Sequence, residues 1–563
     1  MTRLFVRSIL TLVLATCGAL PRAAGAAVAS PAPADVARLC RDLMVRDYSP
    51  TGPGAVVLVA RGDSVLFRGA RGEADIGTHA PLVPGSVFRI GSVTKQFTAA
   101  ALLTLVEAGR VRLDDSLSRY LRDYPGGDHI TLRQLLNHTS GVRTYSNLPR
   151  YADSTIRLDF TTAQLIGLFR NEPPDFAPGT NWAYSNSGYA LIGAVIETVT
   201  GMPWHAYLEQ KLFKPLGMHH TGYGHDPRFA RQVVRGYTLE GDSVRPMLPM
   251  SMTQPYAAGA LVSTVDDLLT WNRALHEGRV LRSAAYTQMI TPTGLAADPG
   301  VRYGFGLYDD TVRGRPMLRH GGRIFGYIAS LSYLPGPDIS VVVLENDDAH
   351  NGPEIAEELS RRLAAIALGE PYPLPSAAAV DSATLRAAEG IYRFDGDVTR
   401  TLRVVDGHLT AQRTNRPPVV LTPIATDDFL YADGFNRLRL ERDTGGAVVR
   451  VRFFARGDGD GEIGVRTREA PAAPAAMKLP RAALTRLVGT YANSQVSLAV
   501  FLDGEALKAQ IAGQPPFGMR ATSPTQFALE VNDATLEFSS GDAPPDTLTV
   551  RQSGRATTLR RVK

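Results

Sequence analysis

The sequence predicts an α/β (α+β) protein: an antiparallel sheet flanked by helices, followed by two small antiparallel β-barrels. Three observations carry this. Between residues 34 and 370 strand patterns come first, helical patterns fill the middle, and strands return. After a linker marked by Pro371, Pro373 and Pro375, the chain turns to short alternating strands with almost no helix. That last part also repeats itself. Leu385-Arg-Ala-Ala-Glu-Gly-Ile-Tyr392 matches Leu484-Thr-Arg-Leu-Val-Gly-Thr-Tyr491 at an offset of 99, and Ala411-Gln412 and Phe429 match Ala509-Gln510 and Phe527 at 98.

Taken in order, residues 1–26 read as an export signal. Arg3 and Arg7 form a positive start, Ser8 to Leu14 run apolar, and Ala24-Gly25-Ala26 offers a small-residue cleavage site. This predicts a periplasmic or secreted chain with no transmembrane segment once matured. The alternative is lipid anchoring through Cys17. Removing the three arginines of this segment leaves +2 of the formal +5 charge, too little for a nucleic-acid partner. The one cysteine beyond the signal, Cys40, shares a helical stripe with Val36, Leu39, Leu43 and Met44, so it reads as a core residue. No Cys/His spacing suits zinc, and neither metal nor cofactor is implied.

Residues 27–370 form the first domain. A helix over 34–47 precedes strands at 55–60 and 64–68, joined by the turn Arg61-Gly62-Asp63. Strands return at 303–308, 316–320, 327–333 and 340–345. A closing helix carries Pro353 in its first turn, buries Ile355, Leu359, Leu363 and Ile366, and stops at Gly369. A linker over 371–384 leads to one barrel at 385–468, and a second linker over 469–481 leads to another at 482–563.

The strongest chemical signal is Ser92-Val93-Thr94-Lys95. It opens a helix reaching about Ala108 that is apolar nearly all round, with Val93, Phe97, Ala99 to Leu103, Leu105 and Val106, so it belongs in a core. Only six of 563 residues are lysine, and no other serine has one three places on. That spacing sets hydroxyl and amine on one helix face. A buried Lys loses its charge readily and becomes a base, which serine needs in order to act as a nucleophile. The competing reading is an ordinary Ser cap with a snorkelling Lys, but this helix offers no polar face to snorkel from.

Such a pair needs a proton carrier and a third wall. Tyr-x-Asn occurs at Tyr145, Tyr184 and Tyr491. Tyr491 belongs to the repeat and reads as core. Tyr184 precedes a helix with Leu191, Ile192, Val195, Ile196 and Val199 on one face, whereas Tyr145 lies in a loop, so Tyr184 is preferred. Its expected role is general base and then acid, its phenol acidified by Lys95. Asn186 would hold Lys95 or a substrate carbonyl. His320-Gly321-Gly322 ends a strand, and its glycines let a ligand backbone approach. The N–H of Arg323 would then join that of Ser92 as an oxyanion hole.

With these residues in place, the chain resembles the serine β-lactamase-related, penicillin-recognising hydrolases, a family of β-lactamase/transpeptidase-like fold. The resemblance rests on Phe88-Arg-Ile-Gly-Ser92-Val-Thr-Lys95, Leu135-Leu-Asn-His-Thr-Ser-Gly141, Tyr184-Ser-Asn186 and Ala258-Gly-Ala-Leu-Val-Ser-Thr264. The family includes class C β-lactamases, D-alanyl-D-alanine carboxypeptidases, D-aminopeptidases and esterases. The D-aminopeptidases are the most similar, since they share His-Gly-Gly and carry two barrels after the catalytic domain. Where β-lactamases and carboxypeptidases usually have Lys, this chain has His320. The resemblance therefore implies an acyl-serine hydrolase of small peptide-like amides or esters, with a small-molecule or short peptide substrate. A carboxylesterase, a D-Ala-D-Ala carboxypeptidase or weak β-lactamase, and a silent cell-wall peptide-binding protein stay open as alternatives. The oligomeric state is not legible.

Overall fold

The computed structural model describes residues 31–563 apart from 149–150, 152–154, 241–242, 349–353, 375–377, 396–397, 406, 415, 433, 469–478, 494–495, 512–515, 522, 530–533, 540, 542, 553–554 and 563. The expected signal, Cys17 and Pro353 lie outside the described residues, as does most of the second linker. Among the described residues no helix is long and apolar enough to cross a membrane.

The first part of the chain is built on a six-stranded antiparallel sheet. Its elements are α1 (Pro33–Asp47), β1 (Ala55–Arg61), β2 (Ser64–Arg71), α2 (Thr94–Glu107), α3 (Asn186–Thr200), α4 (Val265–His276), β3 (Tyr308–Val312), β4 (Arg315–Ile324), β5 (Tyr327–Leu334), β6 (Ile339–Glu345) and α5 (Glu354–Leu368). The strand order is β3-β4-β5-β6-β1-β2. The first and last strands in sequence pair inside the sheet, with Val57 opposite Val343.

Central strands must be apolar on both faces, and the period of two divides them. Val56, Leu58, Val342 and Leu344 join the large core containing α2, α3 and α4. Val57, Val59, Val341 and Val343 pack instead against Val36, Cys40 and Leu43 of α1 and Leu359 and Leu363 of α5. Cys40 is fully buried, and burial pushes its thiol pKa up to about 12, so it is an inert core residue.

One expected strand is absent. Residues 303–308 form an irregular turn in which Tyr303 and Tyr308 bridge each other, and β3 begins only at Tyr308. Glycine is the reason. A Cβ on Gly304 would stand 2.2 Å from the Met289 carbonyl oxygen, and one on Gly306, with φ at +75°, would stand 2.8 Å from the Lys95 backbone. The chain is pressed onto α2 rather than extended.

The two C-terminal copies differ. The second is a closed eight-stranded barrel from Gly489 to Arg561. The first is a nine-stranded antiparallel sheet that stops short of closure. Its two edges, Val419–Val420 and Thr422–Ala425, are neighbours in the chain. One stretch thus pairs with a neighbour on each side, so this copy is a nearly closed barrel, in keeping with the two barrels expected. The repeated motif is itself a small device. Each copy opens with a short helix, Ser382–Ala387 or Arg481–Leu487, that the sequence reading missed. The buried phenols then donate back four residues, Tyr392 to the Ala388 carbonyl at 2.8 Å and Tyr491 to that of Leu487 at 2.9 Å.

The first copy is tied to the sheet domain by arginines. Arg313 donates to the Gly457 carbonyl at 2.8 Å, Arg362 to that of Gly434 at 3.0 Å, and Arg456 pairs with Asp310 at 2.5 Å.

Candidate active site

The site forms where the start of α2, the start of α3 and strand β4 converge. Gly91–Val93 make a single 3₁₀ turn, so Ser92 stands on a tight bend just ahead of α2 rather than within it. Gly91 has φ at +48°, and a Cβ there would lie 2.9 Å from the Arg323 nitrogen. A Cβ on Gly322 would lie 2.0 Å from the Ile90 oxygen and 3.2 Å from the Ser92 nitrogen. These two glycines let the backbone of β4 press against the serine turn, which brings the Ser92 and Arg323 amides to one junction. The Arg323 side chain points away, donating to the Asp348 carbonyl at 3.1 Å.

Lys95 is fully buried. Its Nζ lies 3.1 Å from Ser92 Oγ, 2.8 Å from Asn186 Oδ1 and 2.8 Å from the Ala258 carbonyl oxygen. Burial drives its pKa well below the usual lysine range, and no carboxylate opposes that shift. With the amine neutral, two N–H groups donate to Asn186 and Ala258, which leaves the lone pair for the Ser92 hydroxyl proton.

Asn186 is itself oriented. Its Nδ2 donates to Ser146 Oγ at 3.1 Å and its backbone N–H to Thr144 Oγ1 at 3.1 Å. Ser185 caps α3, accepting from the Gly188 N–H at 3.1 Å and donating to the Val142 carbonyl at 2.7 Å.

Tyr184 lies beside Lys95, with its ring centroid 4.7 Å from Nζ. Its hydroxyl is buried. Burial pushes the phenol pKa well above 10, and only a contact with Ser92 opposes this. The expected acidification by Lys95 is therefore corrected. A lysine kept neutral supplies no positive field, and the phenol stays protonated.

Tyr145 does not join the site. Its hydroxyl donates to the Gln254 carbonyl at 2.7 Å, and its ring stacks near Phe169 and meets Tyr151 edge-on. Its neighbours Thr144 and Ser146 do join, through Asn186. Tyr491 is core, as described above.

His320 is buried. Its Nδ1 lies 2.5 Å from the Gly321 carbonyl oxygen and its Nε2 3.0 Å from the Tyr303 hydroxyl. The proton therefore sits on Nδ1, and Nε2 accepts from Tyr303. Burial lowers the pKa to about 3, so the ring is neutral.

Three contributors were missed by sequence reasoning. Ala258 acts through its carbonyl, which carries no side-chain signal. Tyr303 lay in a mistaken strand. His138, with φ at +65°, accepts from the Ser185 N–H at 3.1 Å and packs its ring 4.4 Å from that of Tyr184. The polar run Asn137-His-Thr-Ser140 was the available signal, since all four are buried and need partners.

The geometry can be set beside known proteins. The Beta-lactamase family model matches residues 38–366. The chain is 29% identical over 326 residues to a D-aminopeptidase of Brucella canis, covering 58% of this chain and 61% of that protein, so it spans less than two thirds of that relative's length. It is 25% identical over 435 residues to penicillin-binding protein 4* of Bacillus subtilis, covering 73% and 94%. Among solved structures, D-amino acid amidase from Ochrobactrum anthropi SV3 superposes with a TM-score of 0.53 at 25% identity, over 60% of this chain and 99% of that one.

Proposed function

The chain belongs to the β-lactamase family of serine hydrolases, and on that premise we propose that it is an exported enzyme that cleaves small peptide-like amides or esters through an acyl-Ser92 intermediate, with D-aminopeptidase-like selectivity. The observation that carries the reading is the buried Lys95 amine, held by Asn186 and the Ala258 carbonyl with its third contact on Ser92 Oγ.

In this reading Lys95 takes the Ser92 proton as Oγ attacks the substrate carbonyl carbon. The resulting oxyanion is met by the N–H groups of Ser92 and Arg323, a pair in which each donor is worth about 3 kcal/mol of transition-state stabilisation. The C–N or C–O bond breaks as Tyr184, kept protonated, hands its proton to the leaving group and recovers one from Lys95. Water then attacks the acyl-enzyme, and the same groups run the proton transfers in reverse. Asn186 positions Lys95. His320 and Gly322 line the acyl-binding side, where a neutral imidazole offers no fixed cation to a substrate carboxylate. This favours substrates read at a D-residue with a free amino end. The D-aminopeptidase and D-amino acid amidase relatives support that choice. The N-terminal Arg3, Arg7 and Ala24-Gly25-Ala26 support export.

Labelling with a fluorophosphonate tests the nucleophile: wild type is labelled and Ser92→Ala is not, and equal labelling ends the proposal. A turnover panel of D-alanyl anilide, p-nitrophenyl ester and chromogenic cephalosporin tests the substrate class. Faster ester than anilide turnover would make it a carboxylesterase, and a dominant cephalosporin rate a β-lactamase. A mature chain beginning at Ala27 supports export by cleavage, and one beginning at Cys17 replaces it with lipid anchoring.

A further inference from the structure

Helix α3 has Asn186 at its first turn and Glu197 near its last, about 16 Å further along the axis. At that far end lies a cavity of about 520 Å3 whose walls include Phe160, Glu197, Met202, His205, Tyr223 and Tyr256. None of these is part of the Ser92 site.

The polar content of the cavity is lopsided. Glu197 accepts from the Trp204 N–H at 3.0 Å and the Thr162 hydroxyl at 3.1 Å, both neutral donors. No lysine or arginine pairs with it among the described residues. Asp159, Asp226 and Glu209 also stand around His205 and Tyr223, and the basic groups there face those three: Arg228 pairs with Asp226 at 2.7 Å and Glu209 at 3.0 Å, Lys214 with Glu209 at 3.2 Å, and His225 lies 3.7 Å from Asp159. His205 supplies no positive charge, since burial lowers its pKa and its ring stacks flat on Tyr223 at 4.5 Å.

The rest of the wall is aromatic or polarisable. Tyr256 is buried, its ring wedged where a Cβ on Gly193 would meet it at 2.6 Å. Tyr223, Phe160 and Met202 are partly exposed to the cavity. An unbalanced carboxylate framed by aromatic faces and a thioether recognises an organic cation, drawn by charge and by the ring quadrupoles together.

We propose that this cavity is a second ligand site, specific for a primary ammonium ion on a short apolar or aromatic body. The site is independent of what Ser92 acylates, and its test is a binding measurement on the full chain.

The probe is 2-phenylethylammonium, with neutral 2-phenylethanol as its isosteric control, followed by isothermal titration calorimetry near neutral pH. The ammonium saturates one site and the alcohol does not. Ser92→Ala binds it as wild type does. Glu197→Gln, which keeps an acceptor for the Trp204 N–H, weakens binding about tenfold or more, and so does Tyr223→Leu, which removes a partly exposed wall. Equal binding by Glu197→Gln overturns the proposal, as does equal binding of the alcohol, loss of binding in Ser92→Ala, or no saturable binding. Should Glu197→Gln fail to fold, wild-type affinity in Tyr223→Leu overturns it.

Discussion

Asn186 reaches Lys95 with its amide oxygen at 2.8 Å while its amide nitrogen is tied to Ser146 at 3.1 Å. The second bond fixes which end of the amide faces the amine. The lysine thus meets a neutral acceptor where a carboxylate would have restored its charge.

Asn186→Asp tests that arrangement. A carboxylate at this point raises the Lys95 pKa, so the neutral base is populated only at higher pH. At neutral pH kcat/KM falls about 10²-fold or more, and the acid limb of the pH–rate profile moves upward. An unmoved limb would show that Lys95 is not the titrating base.

Tyr184→Phe removes the proton carrier and leaves the ring against His138. Turnover falls about 10²- to 10⁴-fold, with little change in thermal stability. In wild type the phenol, held well above its usual range, adds no basic limb up to pH 10. Ester substrates with good leaving groups lose less than amides, and a comparison of p-nitrophenyl ester with anilide reads this directly.

His320 links stability to acid. Its folded pKa of about 3 lies below the ordinary 6.5. Between those values the unfolded chain takes up a proton that the folded chain refuses. Its contribution is therefore intact above about pH 6.5 and is lost as pH falls toward 3. At pH 5 the loss from this residue is about 2 kcal/mol. Urea midpoints at pH 7 and pH 5 show the difference, and the slope flattens in His320→Phe whatever that variant's absolute stability.

Gly322→Ala places a methyl against the Ile90 carbonyl, and both partners are backbone. The strand or the serine turn must shift, and stability drops by about 3 kcal/mol with activity lost. Denaturant unfolding and the p-nitrophenyl ester rate check both parts.

Asp310 is nearly buried and accepts from Arg319 at 2.7 Å and Arg361 at 2.8 Å besides pairing with Arg456. Asp310→Asn strands those cations and destabilises by about 3–5 kcal/mol, whereas Arg456→Ala, half-exposed, changes stability by about 1 kcal/mol or less. Equal losses in thermal unfolding would refute the ordering.

Much of this candidate site is legible in the sequence. Ser92 and Lys95 were readable because an apolar helix with one cation has few uses for it. Asn186 was readable because it opens a helix with a clean apolar face. What escaped was carried by main chain or by position. The Ala258 carbonyl has no side-chain signature, and the 303–308 turn looked like a strand because its aromatics masked the role of Gly304 and Gly306. The Tyr184 pKa is not legible in the sequence, because spacing shows that Lys95 is near but not that burial raises the phenol and lowers the amine. The sheet was legible through the apolar runs of β1, β5 and β6. The two C-terminal barrels were legible from the repeat and the alternation, but alternation alone does not reveal that the first is only nearly closed.

That near-closure bears on how the protein behaves in a crowd. An open sheet normally offers a neighbouring chain a template for continuation, the first step toward aggregation. Here the rims are only Val419–Val420 and Thr422–Ala425, joined through buried Leu421, and one is interrupted by Pro423. An incoming strand finds too few free donors to register against. The nearly closed sheet leaves little edge for a neighbouring chain to extend.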